Sequence, residues 1–171
     1  MLARNKLLVK WFLYAVAAAA CLLVQTALLQ RFTVWGVIPF LYPLLAAIPA
    51  TRESPVAGAA FALCVGVACD LLLPGAVPCL YTLTFPLAGL CAGLLAQSVL
   101  PAGYFCSLVS SAAAFLLVDA FRCLLLWTEG QAVWQAGAWL MLREFCVTAP
   151  LILPVTALFR AVAQWIRRSY D

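Results

Sequence analysis

The sequence predicts an all-α polytopic membrane protein with about six transmembrane helices in one domain, residues 1–171. Three observations predict this class. Hydrophobic residues make up 67% of the 171 residues and charged residues only 9%, against about 25% charged in an ordinary soluble domain. Polar or proline-containing segments divide the chain into apolar stretches near the roughly 20 residues that a spanning helix needs. What remains outside six such helices is too short for a second folded domain, which excludes a soluble enzyme and an anchored catalytic domain.

The first half of the chain contains three predicted spans. Span one covers about residues 11–30 and ends at a polar Gln-Arg pair. Span two, about residues 34–50, contains three prolines, so we expect a kinked or broken helix whose freed carbonyls bond to neighbouring helices. Span three covers about residues 56–73 and ends at Pro74-Gly75.

The second half predicts three further spans and one interfacial helix. Span four covers about residues 79–97, and span five, the longest, covers 104–127. The segment 131–142 carries two tryptophans beside polar residues, which is typical of an amphipathic helix at the headgroup level. Span six covers 145–164. The pattern leaves open whether the chain from residue 131 onward forms one span or an interfacial helix followed by a span.

The basic residues predict the orientation. With a cytoplasmic N-terminus and six spans, the cytoplasmic side holds seven of them and the outer side two, with Arg122 embedded, which satisfies the positive-inside rule. We therefore expect both termini in the cytoplasm. The inner group is Arg4, Lys6, Lys10, Arg52, Arg160, Arg167 and Arg168, and the outer group is Arg31 and Arg143.

The composition also excludes several kinds of chemistry. The chain has no histidine, which removes Ser-His-Asp and Cys-His catalysis and histidine metal sites. Its eight cysteines are scattered singly with no C-x-x-C, and we interpret them as small hydrophobic residues rather than disulfides. There is no glycine-rich phosphate loop, no metal-ligand cluster and no basic-aromatic strip for nucleic acid. The sequence therefore predicts no enzyme, no cofactor and no metal.

A stripe of small residues runs along span three. Gly58, Ala62 and Gly66 recur every four residues and lead to Asp70, so they lie along one face of the helix. Small residues let a second backbone approach closely in a membrane. Two interpretations stay open: packing within the chain, or a face on which, or beside which, a partner's transmembrane helix packs.

Three charged residues are predicted to lie within the membrane. Asp119 and Arg122 are three residues apart on span five, hence on one face of it, and Asp70 lies at a similar depth on span three. Embedded charges are costly and normally pair. We expect Arg122 to pair with Asp70, with Asp119 or with both. The cluster is interpreted as a structural polar clamp, with substrate or ion binding and a contact to a partner as alternatives.

A short polar turn between spans two and three carries Arg52 and Glu53. Such a charged pair is usually a solvated loop. The alternative is a contact for a cytoplasmic protein.

The order of these features resembles the MreD family of the bacterial rod-shape, or elongation, machinery. The resemblance covers about residues 23–126, and its most specific part is the pattern G-x7-G-x3-D. Span five with its polar residues also looks like that of the family. The matching features are Leu29-Gln30, Gly36, Pro39, Arg52-Glu53, Gly58, Gly66, Asp70 and the leucine- and glycine-rich stretch 81–93.

The resemblance implies a non-enzymatic scaffold in the bacterial plasma membrane. Such proteins bind MreC, a single-pass protein, and through it are linked to the MreB filament and to the RodA/penicillin-binding-protein pair of peptidoglycan synthesis. The family's fold is similar to that of the substrate-binding components of energy-coupling-factor vitamin transporters. Such a component is the alternative function, and it would dock a transporter subunit through an A-x-x-x-A pattern such as Ala15 and Ala19.

Overall fold

Long apolar helices dominate the structure, a computed structural model that describes residues 2–72, 79–101, 103–128, 130 and 134–168. The described residues contain no β-strand beyond one isolated bridge between Val34 and Val37. The helices are α1 (Leu2–Ala27), α2 (Tyr42–Ala50), α3 (Pro55–Leu72), α4 (Leu80–Ser98), α5 (Tyr104–Thr128) and α6 (Trp134–Arg168), with a 3₁₀ turn at Leu29–Arg31.

Five segments in the described part of the chain are long and apolar enough to cross a bilayer, which makes this an all-α membrane protein. They are Leu7–Arg31, Pro55–Leu72, Leu80–Ser98, Tyr104–Thr128 and Trp134–Ile166. The predicted bounds of spans three, four and five agree with α3, α4 and α5 to within one residue wherever the chain is described. The predicted Pro74-Gly75 turn lies outside the described residues.

The second predicted span, residues 34–50, is a broken helix, as its prolines predict, and its helical part is shorter than the predicted span. Only Tyr42–Ala50 is helical, and nine residues rise about 14 Å, roughly half of a 30 Å hydrocarbon core. The prolines explain this: Pro43 occupies the first turn of α2, where proline is tolerated, and Pro39 precedes it. Every residue of α2 is buried, because the other five helices surround it.

Side chains from two other helices bind the non-helical backbone that leads into α2. The Gln25 amide of α1 donates to the Pro39 carbonyl at 2.8 Å and accepts from the Leu41 N–H at 2.9 Å. The Thr148 hydroxyl of α6 accepts from the Phe40 N–H at 2.9 Å. Irregular backbone is tolerated at membrane depth only where protein groups satisfy it. These three bonds provide that satisfaction.

Of the two arrangements that the sequence left open from residue 131 onward, the structure shows one continuous helix, α6 (Trp134–Arg168), with no break between the interfacial segment and span six. The polar pair Arg143-Glu144, which falls between the two predicted segments, lies inside it. Pro150 and Pro154 also lie inside it and are exposed on its surface. The start of the predicted segment, residues 131–133, lies outside the described residues.

Candidate functional site

Asp70 caps the N-terminus of α4. Helix α4 begins after Cys79, which has a left-handed backbone (φ 60°) and provides no side-chain cap. From the end of α3, the Asp70 carboxylate accepts hydrogen bonds from the N–H groups of Tyr81 at 3.2 Å and Thr82 at 2.7 Å, and from the Thr82 hydroxyl at 2.5 Å. A carboxylate there satisfies free helix N–H groups and complements the helix dipole. Asp70 therefore joins α3 to α4.

A second polar group joins α5 to α4 and α6. Arg122 Nη1 lies 3.6 Å from Asp119 Oδ1 on the same helix. Arg122 also interacts with the side chain of Tyr81 on α4. Glu144 of α6 interacts electrostatically with both Asp119 and Arg122. Asp119 is 8% exposed, so this is an embedded cluster of two carboxylates and one guanidinium.

Of the pairings that the sequence left open, the structure shows Arg122 with Asp119, whereas the hydrogen bonds of Asp70 go to α4. The two groups nevertheless meet at one residue, because Tyr81 donates its N–H to Asp70 and presents its side chain to Arg122. The polar clamp thus runs from α3 through the first turn of α4 to α5 and α6. This geometry joins helices, and in it each of the three predicted residues contacts the chain itself.

The small-residue stripe of α3 packs within the chain. Ala62 is fully buried, and Gly58 and Gly66 are buried as well. A Cβ atom on Gly66 would lie 2.5 Å from the Tyr81 carbonyl oxygen of α4, and one on Gly58 would lie 2.7 Å from the Ala50 Cβ of α2. The stripe is therefore occupied by α2 and α4. The interpretation of these three residues themselves as a partner-helix face has to be corrected, and only the face beside them is open.

The turn that carries Arg52 and Glu53 is tied to α1. Lys10 Nζ donates to Glu53 Oε2 at 2.5 Å, and the Tyr14 hydroxyl donates to Glu53 Oε1 at 3.1 Å. The Glu53 side chain is only 11% exposed, so the expectation of a solvated loop is wrong for this residue. The ion pair places the start of α1 and the α2–α3 turn at the same end of the bundle.

A cavity of about 670 Å³ opens at this end, which we call the basic end. The wall of this cavity also includes residues from the end of α4, the start of α5 and the C-terminal part of α6. Three basic residues that were predicted to lie on one side of the membrane therefore lie together. These are Lys10, Arg52 and Arg160. The side chains of Arg4, Lys6 and Arg167 lie outside the described part.

A shallower cavity of about 460 Å³ lies between the α1–α2 connection and α6. Its walls include Trp35 and Trp139, and the Arg143 guanidinium lies 5.3 Å from the Trp139 ring centre. Trp35 and Gly36 both have positive φ, 54° and 77°, in the tight turn that the Val34–Val37 bridge closes. Exposed tryptophans of this kind are typical of the membrane–water interface.

The exposed cysteines and alanines mark two helix faces that no described part of the chain covers. All eight cysteines are free thiols; Cys64, Cys79, Cys91 and Cys146 are exposed, and the other four are buried. On α3 the exposed Ala60 and Cys64 are one turn apart. On α1, Ala15 and Ala19 have the same relation and are also exposed.

Sequence reasoning missed four polar residues that the structure uses. Gln25, Thr148 and Glu144 each stand in a strongly apolar stretch, and the cost of burying such groups was a usable indication that each has a partner. Lys10 was counted only as part of a basic N-terminus. Among the described residues, no group of three or more cysteines and carboxylates is placed to hold a metal ion.

Comparisons with known proteins add no relative: the chain matches no family model, no curated protein and no solved structure.

Proposed function

We propose that this protein is a non-enzymatic, MreD-like scaffold of a bacterial cell-elongation complex, and that it binds an MreC-like single-pass partner within the membrane. One observation supports this over a solute binder. Most of the charged groups that would hold a solute are engaged by the chain itself: Asp70 by the start of α4, and Arg122 by Asp119 Oδ1, while only Asp119 Oδ2 of this cluster has no hydrogen-bond partner among the described residues. A small-ligand pocket needs several convergent polar groups that remain available.

The partner helix packs, in this proposal, on the exposed face of α3, beside the buried stripe. Helix α3 contacts chiefly α2 and α4, so its opposite face is open. That face presents Ala60 and Cys64 flanked by Leu63 and Val67, all four exposed. Small residues one turn apart allow close backbone approach, which is how helices associate in lipid without a hydrophobic driving force.

Within the complex, the MreC-like partner links the scaffold to an MreB-like filament and to the RodA/penicillin-binding-protein pair, so the protein helps regulate cell shape. The proposed location is the bacterial plasma membrane, with six crossings and both termini in the cytoplasm. Five long helices support part of this arrangement, and α2 with its non-helical lead-in would make the remaining crossing. The shared end of Lys10, Arg52 and Arg160 supports the grouping of charges.

The alternative function, a substrate-binding component of an energy-coupling-factor vitamin transporter, is favoured by one observation. Ala15 and Ala19 of α1 are exposed, as a docking pattern for a transporter subunit requires. The two functions therefore use different helices, α3 for the scaffold and α1 for the transporter component.

Matched substitutions on these two helices separate the functions. We would co-express the full chain with the MreC-like protein of the same genome and measure co-purification from detergent. Cys64→Phe is expected to lower recovery of the partner at least fivefold, because the ring blocks the α3 face, whereas Ala19→Phe on α1 leaves recovery unchanged. The two variants are matched because each adds the same aromatic ring at an exposed position. Equal recovery with both variants would contradict the α3 face. Co-purification of an energy-coupling transporter subunit, lost with Ala19→Phe, would establish the alternative.

A further inference from the structure

We propose that the cavity at the basic end binds an anionic phosphate group. This inference does not depend on the proposed function, because it concerns a different part of the molecule from the α3 face. The wall of the cavity combines Lys10, Arg52 and Arg160 with one carboxylate, Glu53. At neutral pH these four side chains carry a net charge of about +2.

The carboxylate is engaged by α1. Glu53 accepts from both Lys10 and Tyr14, so the Lys10–Glu53 pair is locally neutral, and Arg160 adds positive charge to the cavity beyond this pair. Helix termini contribute little net charge here, because α3 and α5 begin at this end while α2 and α4 end there. The preference for an anion therefore comes chiefly from the Arg160 side chain.

Helix α6 presents a polar stripe to the cavity. Thr156, Arg160 and Gln164 are spaced four residues apart and all line it, so they lie along one face of the helix. In an otherwise apolar spanning segment, a hydroxyl, a guanidinium and an amide in a row offer three consecutive donors. A phosphate has several acceptor oxygens that match such a set, and arginine binds them with directed, charge-assisted hydrogen bonds.

Thr156 is the independent indication that something occupies this site. Thr156 is only 1% exposed, yet its hydroxyl has no hydrogen-bond partner among the described residues. A buried hydroxyl without a partner is costly. Because Thr156 lines the cavity, an oxygen atom of a ligand that enters beside Arg160 would accept a hydrogen bond from the Thr156 hydroxyl.

The volume and position suit a headgroup. About 670 Å³ falls within the range of small-molecule sites, and basic pockets between membrane helices bind anionic lipid headgroups. A lipid headgroup and a soluble phosphate share the chemistry, so the experiment has to distinguish them.

The test measures binding to the full chain in maltoside detergent at low ionic strength. The probes are short-chain phosphatidylglycerol, short-chain phosphatidylcholine and inorganic phosphate. We expect phosphatidylglycerol to bind about tenfold more tightly than phosphatidylcholine, whose ammonium group is repelled by the arginines. Competition by millimolar inorganic phosphate would identify the phosphate itself as sufficient. Lipid binding without competition would identify a lipid headgroup.

Three variants locate the binding. Arg160→Gln is expected to weaken phosphatidylglycerol binding about tenfold, which is the effect of roughly one charge-assisted hydrogen bond. Thr156→Val, which keeps the side-chain shape, is expected to weaken it about threefold. Arg143→Gln on the same helix lies outside this cavity and is the matched control, with binding unchanged.

The proposal is overturned if inorganic phosphate does not bind and phosphatidylglycerol binds no more tightly than phosphatidylcholine. It is also overturned if Arg160→Gln and Thr156→Val bind the probe as Arg143→Gln does. Should Arg160→Gln fail to fold, the comparison of Thr156→Val with Arg143→Gln decides alone. Equal weakening by Arg160→Gln and Arg143→Gln, with Thr156→Val unchanged, would indicate only the overall charge of the protein and would also overturn the site.

Discussion

Replacing Gln25 with leucine removes the one side chain that bonds twice to the broken backbone ahead of α2. Gln25 is 2% exposed, and its amide serves both the Pro39 carbonyl and the Leu41 N–H. Leucine fills a similar volume, so the change is chiefly the loss of these two bonds. The backbone groups at residues 39 and 41 stay buried and lose their partner.

The magnitude follows from this count. Leaving one buried polar group without its partner costs about 1–3 kcal/mol, and hydrogen bonds within membrane proteins lie toward the lower end of such values. Two lost bonds therefore predict a loss of about 2–4 kcal/mol in the free energy of unfolding. Thr148→Val, which removes one bond to the same segment, should lose about 1–2 kcal/mol.

The assay is reversible unfolding by sodium dodecyl sulfate in mixed micelles, followed by tryptophan fluorescence and circular dichroism. Gln30→Leu is the matched control, because it makes the same chemical change at an exposed position near the end of α1 and should stay within about 0.5 kcal/mol of the wild type. If Gln25→Leu unfolds at the same detergent fraction as Gln30→Leu, the reasoning about the lead-in to α2 is refuted.

Three further changes test the clamp and the stripe. Asp70→Asn should lower the free energy of unfolding by about 1 kcal/mol, since it removes the charge that caps α4, and an unchanged thermal midpoint in detergent would contradict the cap. Gly66→Ala should lose about 1–3 kcal/mol because its Cβ would meet backbone atoms of α4, whereas Gly103→Ala, with only a 3.7 Å contact, should unfold like the wild type. Arg122→Gln should lower the free energy of unfolding by about 2 kcal/mol, which is less than the loss expected on breaking a fully buried ion pair, because the Arg122 side chain is one-third exposed. The double variant with Asp119→Asn should recover part of this loss. Strictly additive losses would argue against the pair.

The sequence predicted the class of fold and most long helices because bilayer thickness sets helix length. Spans three, four and five were placed from hydropathy and breakers alone, and the structure agrees with them where it is described. Helix ends marked by polar residues were harder to place from the sequence. Arg143 and Glu144 fall between the two predicted segments, but Glu144 lies near Asp119 and Arg122 of α5, and α6 continues through the pair.

The site was predictable in its members and less so in its pairings. Asp70, Asp119 and Arg122 were identified because embedded charges need partners, yet Asp70 accepts hydrogen bonds from two backbone N–H groups and the Thr82 hydroxyl of α4. Backbone N–H groups are identical in every sequence, so no residue pattern indicates that α4 lacks a local cap. For the same reason the sequence did not indicate the role of Gln25, whose partners are main-chain atoms of Pro39 and Leu41.

Crosslinking through the native cysteines tests the central claim most directly, because Cys64 of α3, Cys91 of α4 and Cys146 of α6 are all exposed. Three variants of the full chain would each keep one of these and carry alanine at the other two and at Cys79. Each would be oxidised in membranes with an MreC-like partner that carries single cysteines along its transmembrane helix. We predict a disulfide to Cys64 at partner positions three to four residues apart, and none to Cys91 or Cys146. Crosslinks at Cys91 or Cys146 with none at Cys64 would contradict the account.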